Sequence, residues 1–439
     1  MTWFKLAYRN VFRQKKRSFL LAGAIAFGML AITLLNTLTG AMGNAVKTNF
    51  SSAMGGHVYM TGEVVSQRGY SNNLINRSDI VEQAIASLST PVAEIKRRSS
   101  SRLQLSNGSA ASNLQVQGIE IANEQQLFTR LNVMRGSLQA LEEPGTIAIP
   151  MRQAKELGVN LGGTITVKGE TMSGQQNLLK WKLVALFGDQ SGFGRSNGYT
   201  SLASMNQMLN IDADNFQRVN LVLTDMADMH QATTELEQAF TRLASLKVEE
   251  QDTTFGPMRM MAQSGNSYIE DPWQDTRFEV TNLDDVTENV MSMVNGLDLV
   301  AKLIFAVMLV ITLVGISNSY RMILLERIAE IGNMRAMGAQ ADNVFRLFLY
   351  EAIILAVMGI VTGLSLAIGA SYVVEAITIE ASRGPARLFT VANHLPMAIS
   401  ISGIAISSGL IMLMTVLAAF FPARAAANLD PAEALRSAT

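Results

Sequence analysis

Four stretches of this chain, residues 18–38, 303–320, 347–374 and 396–421, are long and apolar enough to dictate the kind of fold available to it. A segment inside bilayer hydrocarbon has no water to satisfy its backbone. It must therefore be a helix or a strand of a closed barrel, and a continuous apolar run of about 20 residues, the length a helix needs to cross at about 1.5 Å per residue, marks the helix. The first stretch carries no charge, and the other three lie in the last third of the chain. Composition points the same way, because 49% of the 439 residues are hydrophobic and only 16% are charged. That is more apolar surface than one water-surrounded core uses.

Charge placement gives an orientation. Lys5, Arg9, Arg13, Lys15, Lys16 and Arg17 precede the first stretch with no acidic residue among them, which predicts a cytoplasmic N-terminus. Four crossings then return the C-terminus to the cytoplasm, where Arg424 and Arg436 suit it, and leave residues 39–302 on the far side. A cleaved signal peptide is the rival for residues 18–38, with Gly40, Ala41, Gly43 and Ala45 after it. Its apolar core is however longer than the roughly 7 to 15 residues of a signal segment. Within residues 1–17, Phe4, Tyr8, Val11 and Phe12 recur at helical spacing while Arg9, Arg13 and Lys16 fall opposite, the pattern of a helix lying in the membrane interface.

The expected fold class is membrane α-helical, with four transmembrane helices and a large extracytoplasmic α+β bilobed domain. Residues 57–60, 78–88 and 92–95 read as strand, helix, strand, and residues 219–223, 229–243 and 246–249 repeat that pattern. Two such units can share a sheet. Between them lies a mainly β segment with turn signals at Asn107-Gly108, Pro144-Gly145 and Gly162-Gly163, which predicts an inserted second lobe. Residues 251–285, with Pro257 and Pro272, read as a polar linker or lobe-edge loop.

Chemistry is sparse. With no cysteine and only His57, His230 and His394, widely separated, no metal or histidine-based site is expected. Residues 194–198 fit the Gly-x-Ser-x-Gly nucleophile pattern, but they sit in a stretch, 188–199, rich in Gly, Ser, Asp and Asn that reads better as a loop. A net charge of −1 gives no field for nucleic acid, and no Gly-x-x-x-x-Gly-Lys-Ser/Thr motif occurs, so nucleotide energy has to come from a partner. The most informative segment joins the second and third apolar stretches. In residues 326–339, Glu326 and Glu330 are one helical turn apart, Ile328 and Ile331 form an apolar edge, and Gly332 and Gly338 permit close approach or a helix end. A short amphipathic helix is predicted there.

This segment, Glu-x-x-x-Glu-Ile-Gly-x-x-Arg-Ala-x-Gly-Ala, resembles the loop of the FtsX, MacB and LolC/LolE class of ABC transporter permeases. Agreement extends to residues 6–10 (Leu-Ala-Tyr-Arg-Asn), to residues 348–369 with Glu351, Gly359 and Gly363, and to residues 421–426 followed by 429–436. Residues 145–150, with Ala154, residues 157–159 and Gly162, resemble part of the periplasmic lobe of MacB and LolC/LolE.

The resemblance implies a non-catalytic permease of the inner membrane. Two permease chains, identical or related, would pair over a dimer of cytoplasmic ABC ATPases, which bind the ATP and Mg; this chain itself is expected to hold no cofactor. Glu326, Glu330, Ile331, Gly332, Arg335 and Gly338 would form the ATPase-coupling element, and Gly359 and Gly363 would pack helices. Residues 1–17 would be a cytoplasmic amphipathic helix, 39–302 a periplasmic bilobed domain plus a stalk from about residue 284, 321–346 the coupling loop, 375–395 a short external loop and 422–439 a cytoplasmic tail. LolC/LolE is the nearest architecture, implying contact with membrane lipids and extraction of lipoproteins or another amphiphilic substrate for a periplasmic acceptor. A MacB-like exporter of peptides or toxins and an FtsX-like regulator are alternatives, and a membrane-anchored sensor or hydrolase is an alternative of another class.

Overall fold

The computed structural model describes residues 2–13, 15–66, 69–188, 197–246, 273, 275–378, 388–391, 394–397 and 399–428. The chain divides into two compact units, one of Met1–Asn44, Met293–Ile379 and His394–Thr439, the other of Ala45–Ser292 and Glu380–Asn393.

The chain opens with helix α1 (Thr2–Arg13) and the 40-residue helix α2 (Lys15–Met54). At about 1.5 Å per residue α2 is roughly 60 Å long, twice the hydrocarbon thickness. It therefore runs well past residue 38, where the apolar sequence ends. Nothing in residues 39–54 stops a helix, since no proline occurs there and the residues are mostly small or polar.

The α+β unit follows. Its elements are β1 (Val58–Val65), β2 (Ser71–Asn73), α3 (Ser78–Ala86), β3 (Val92–Asn107), β4 (Ala110–Ile119), α4 (Gln125–Arg130), β5 (Val133–Gly136), β6 (Thr146–Pro150), α5 (Met151–Leu157), β7 (Thr164–Glu170), β8 (Gln176–Phe187), β9 (Gly198–Ser201), α6 (Leu202–Leu209), β10 (Arg218–Leu223), α7 (Met229–Leu243), β11 (Ser245–Leu246) and β12 (Arg277–Asn282). One sheet runs β11-β12-β1-β10-β3-β4-β9-β6-β8-β5, with β2 beside β1 and β7 between β3 and β8. The two strand-helix-strand units do share this sheet, as β1, β3 and β10, and the Asn107-Gly108 turn joins β3 to β4.

Both lobes have their own core. In the first, α3 and α7 cover β1, β10 and β12 with Ile80, Val81, Leu236 and Phe240, whose ring stacks on Phe278 at 4.5 Å. In the second, α5 and α6 close over β3, β4 and β6–β8 around the buried Trp181. A smaller core holds Phe187 against Tyr199. The long strand β3 belongs to both lobes. It pairs with β10 up to Arg98, and from Arg98 onward with β4.

At that switch point Arg98 is fully buried. Its Nε donates to Glu124 Oε1 at 2.7 Å, and its Nη1 donates to Gln117 Oε1 and to the carbonyl of Ala53 near the end of α2, both at 3.1 Å. Asn220 Nδ2 donates to the Met54 carbonyl at 2.6 Å. The last carbonyls of α2, which no intrahelical donor reaches, are thus met by side chains of the sheet. Gly55 makes this approach possible. It is left-handed (φ 84°), and a Cβ there would lie 2.3 Å from Arg98 Nη2.

The remaining elements are α8 (Leu283–Glu326), α9 (Ile328–Ala336), α10 (Ala341–Ala376) and α11 (Ile401–Ala427). Together with α2 these supply four helices long and apolar enough to cross a membrane: Ser18–Met54, Leu283–Ile323, Ala341–Ala376 and Ile401–Ala427. The start of α8 is fixed by a reciprocal cap. Asn282 Oδ1 accepts from the N–H groups of Asp284 and Asp285, and Asp285 Oδ2 accepts from the Asn282 N–H at 2.9 Å.

Besides the end of α2, other boundaries differ from the sequence reading: α8 runs on to Glu326 and α10 begins at Ala341, which shortens the expected 321–346 loop. The polar stretch 251–285 is not irregular throughout, since it contains β12 and the start of α8; residues 251–272 lie outside the described residues. The fourth span begins at Ile401 rather than 396, because Ser400 Oγ accepts from the Gly403 N–H at 3.2 Å and caps the helix. It also continues through Pro422 to Ala427, because Ala423, Ala426 and Ala427 are helix-favouring residues packed against Ile331, Val344 and Phe348. The expected strand at residues 246–249 is described only at its first residue, and residues 194–196 of the Gly-x-Ser-x-Gly stretch, with residues 429–436, lie outside the described residues.

Candidate functional site

The segment between α8 and α10 holds a cluster of polar contacts within the helical unit. α8 ends at Glu326, and Arg327 (φ −104°, ψ 12°) breaks the helix before α9 begins at Ile328. No proline or glycine forces that break. Instead Arg327 turns inward and is buried, with Nη1 3.1 and 3.2 Å from the two carboxylate oxygens of Glu351 on α10 and Nε 2.9 Å from Glu330 Oε2 on α9. Its guanidinium also stands 5.3 Å from the centroid of the Phe348 ring. Asn10 of α1 completes the junction, donating from Nδ2 to Glu351 Oε1 at 2.8 Å. Burial draws the Arg327 pKa down, but Glu351 and Glu330 more than offset this and hold it above the ordinary arginine value. A small cavity of about 20 Å³, room for about one water, lies among Asn10, Ser18, Tyr320, Arg327 and Glu351.

α9 is fixed on one side. Ile331 is buried among Val344, Phe348, Ala423 and Ala426, and Arg335 Nη1 donates to the Ala427 carbonyl of α11 at 2.7 Å. The helix closes on Gly338, left-handed at φ 94°, whose N–H reaches the Arg335 carbonyl at 3.0 Å while that of Ala339 reaches Met334 at 3.0 Å. On the other side Glu330, Asn333 and Met337 are exposed, Met337 to 81%.

The six residues singled out for ATPase coupling therefore separate. Glu326, Glu330 and Gly338 are exposed, whereas Ile331 and Gly332 are buried and Arg335 is partly buried. Glu326 and Glu330 are not one turn apart on one helix, because the break at Arg327 places them on α8 and α9. Gly359 and Gly363 face α2. A Cβ at Gly359 would lie 2.6 Å from Ile25 Cβ, and one at Gly363 would lie 2.3 Å from the Ala26 carbonyl oxygen. Small residues four apart let two membrane helices approach this closely. Sequence reasoning did not assign roles to Arg327, Glu351 or Asn10. The available signal was Glu351, an ionisable residue within an apolar stretch and so in need of a partner.

Residues 18–239 match the MacB-like periplasmic core domain, and residues 302–431 match the FtsX-like permease C-terminal domain. The macrolide export ATP-binding/permease protein MacB of Syntrophobacter fumaroxidans is 28% identical over 297 residues, covering 64% of this chain and 39% of that protein. A probable syringafactin export ATP-binding/permease protein of Pseudomonas syringae pv. tomato is 33% identical over 159 residues, or 36% of this chain and 22% of its own. An uncharacterised ABC transporter permease of Methanocaldococcus jannaschii is 30% identical over 162 residues, 37% of this chain and 38% of its own. The chain thus spans well under half the length of these relatives. The periplasmic region of MacB from Actinobacillus actinomycetemcomitans matches 53% of this chain and 92% of its own at 13% identity, with a TM-score of 0.30. With the periplasmic core match alone spanning half of the sequence, the chain belongs to the MacB- and FtsX-like family of ABC transporter permeases.

Proposed function

We propose that this permease takes its energy from separate P-loop ATPase subunits, which bind ATP and Mg and dock on the exposed side of α9. The observation that carries this reading is the two-sidedness of α9. Its inner side is held to α10 through Ile331, to the Arg327–Glu351 pair through Glu330, and to α11 through the Arg335 bond to Ala427, while Asn333 and Met337 lie on its exposed side. A force applied to the exposed side then moves α10 and α11 together with α9, since breaking a buried ion pair costs more than displacing a packed helix by a small amount. On this reading the N- and C-termini are cytoplasmic, the protein sits in the inner membrane, two permease chains pair, and the α+β unit is periplasmic and does mechanical work on cargo.

The cargo we assign is a lipoprotein or another amphiphilic envelope substrate, passed to a periplasmic acceptor. The names of the relatives, which refer to macrolide, syringafactin and pyoverdine export, support a second reading as an exporter of amphiphilic small molecules or peptides. Substitution of the exposed Asn333 and Met337 by lysine tests the coupling. It should separate ATP hydrolysis from transport while leaving the chain folded in the membrane, and unchanged transport would remove α9 from the mechanism. Lipid-modified protein copurified with the complex would favour the first cargo, and stimulation of hydrolysis by small amphiphiles the second.

A further inference from the structure

Helix α1 has three distinct stripes. Trp3, Ala7 and Val11, four residues apart, pack into the helical core, with Ala7 and Val11 buried. Phe4, Tyr8 and Phe12, one position on, form the next stripe and are 52%, 51% and 42% exposed. The Tyr8 and Phe12 rings touch each other at 4.7 Å between centroids, and Phe4 rests one edge on Tyr350 of α10 at 5.9 Å. Lys5, Arg9 and Arg13, one position further, make a third stripe that is exposed along its length and continues into the exposed Lys15 and Lys16. The grouping of Val11 with the aromatic residues is thereby corrected, because Val11 is buried in the helical core whereas the three rings are about half exposed.

An exposed aromatic stripe between a buried stripe and a basic one has a chemical meaning. Aromatic rings favour the boundary between acyl chains and headgroups, and basic side chains beside them reach the phosphates. Acidic side chains that would neutralise this surface are absent from the sequence before Glu63. Glu351, a carboxylate that α1 contacts, is buried and paired with Arg327. We propose that α1 is a docking surface for anionic phospholipid headgroups in the leaflet where α2 begins. The consequence reaches the junction described above. Asn10 lies between Arg9 and Val11 and donates to Glu351, so headgroups that hold α1 in place also hold the side chain that orients the partner of Arg327.

The test uses the full chain in detergent mixed with equal amounts of phosphatidylcholine and phosphatidylglycerol, with retained lipids counted by native mass spectrometry. Wild type should retain phosphatidylglycerol several-fold over phosphatidylcholine. The triple variant Lys5→Gln, Arg9→Gln, Arg13→Gln should bring the ratio close to unity, and Arg9→Gln alone should lower it partway. A control variant, Arg321→Gln, Arg346→Gln, Arg424→Gln, removes three exposed basic residues elsewhere in the helical unit and should leave the preference intact. No preference in wild type, an undiminished preference in the α1 variants, or an equal loss in the control would each overturn the proposal.

Discussion

Arg327 and Glu351 lie 24 residues apart and form a buried two-contact ion pair, 3.1 and 3.2 Å, at the point where a long helix stops and a short one begins. Neither charge is there for its hydrophobic fit. Each is tolerated because the other, with Asn10 and Glu330, answers it, and α1, α8, α9 and α10 are tied at that point.

Removing one partner should therefore be worse than removing both. Arg327→Ala leaves Glu351 buried with only Asn10 and should cost about 3–5 kcal/mol, the usual result of stranding a buried charge. The double variant Arg327→Met, Glu351→Leu should recover most of that stability and still fail in transport. Thermal unfolding in detergent beside a transport assay separates the two effects. Equal destabilisation by the single and double variants would show that the pair itself is not what matters.

Helix packing offers a test with an internal control. Gly363→Leu places a side chain where even a Cβ would lie 2.3 Å from the Ala26 carbonyl oxygen, a backbone atom that cannot swing aside, whereas nothing lies within 4 Å of a Cβ at Gly409. The first substitution should cost at least the roughly 1–3 kcal/mol of an overpacked core and reduce folded yield, and Gly409→Leu should be near neutral. Fluorescence-detected size exclusion of the two variants reads the difference.

In the α+β unit, Arg98 has the comparable role of a buried charge meeting several acceptors. Arg98→Ala leaves the buried Glu124 only the more distant Lys96 ammonium, 3.8 Å away, and should cost somewhat less than the about 3–5 kcal/mol of a fully stranded charge. Arg98→Lys should rescue little of this, because a single ammonium cannot reach Glu124, Gln117 and the Ala53 carbonyl in the fork geometry of a guanidinium. Limited proteolysis of the full chain, with cleavage in β3 and β4 as the readout, measures it.

Glu235 gives a pH dependence with a definite sign. The Ser89 hydroxyl, the Gln231 amide and the Ser89 N–H all donate to its carboxylate, lowering its pKa to about 2 from an ordinary 4.5. The folded value lies below the unfolded one, so the stabilisation is present above about 4.5 and is lost as the pH falls from there toward about 2. Glu235→Gln should lower Tm modestly near neutral pH, since the carboxylate is exposed, and the gap to wild type should close on acidification through that window. A gap that widens there would contradict the assignment.

Hydropathy located all four membrane-crossing helices because the bilayer imposes a length and polarity that single residues reveal. It did not locate the ends of the helices. Residues 39–54 are no longer apolar yet stay helical in α2, and α11 passes through Pro422, because helix ends answer to caps and packing rather than to hydropathy. The strand-helix-strand units were legible from period and turn residues, but β12, six residues of mixed polarity beside a polar stretch, was not; its pairing with β1 is a long-range contact that no local pattern announces. The same limit applied at the candidate site. The motif of residues 326–339 was visible, but the break at Arg327 exists only because Glu351 and Asn10, distant in sequence, are close in space.

The central claim is that this permease works through a separate ATPase docked on α9. The most direct measurement is purification of the tagged chain from its native membrane in mild detergent, beside Asn333→Lys and Met337→Glu variants, with the eluates assayed for hydrolysis and their proteins identified. A P-loop ATPase in stoichiometric amount with wild type, and depleted in both variants, is the expected result. A wild-type chain that elutes without any ATPase, or variants that retain it in full, would contradict the account.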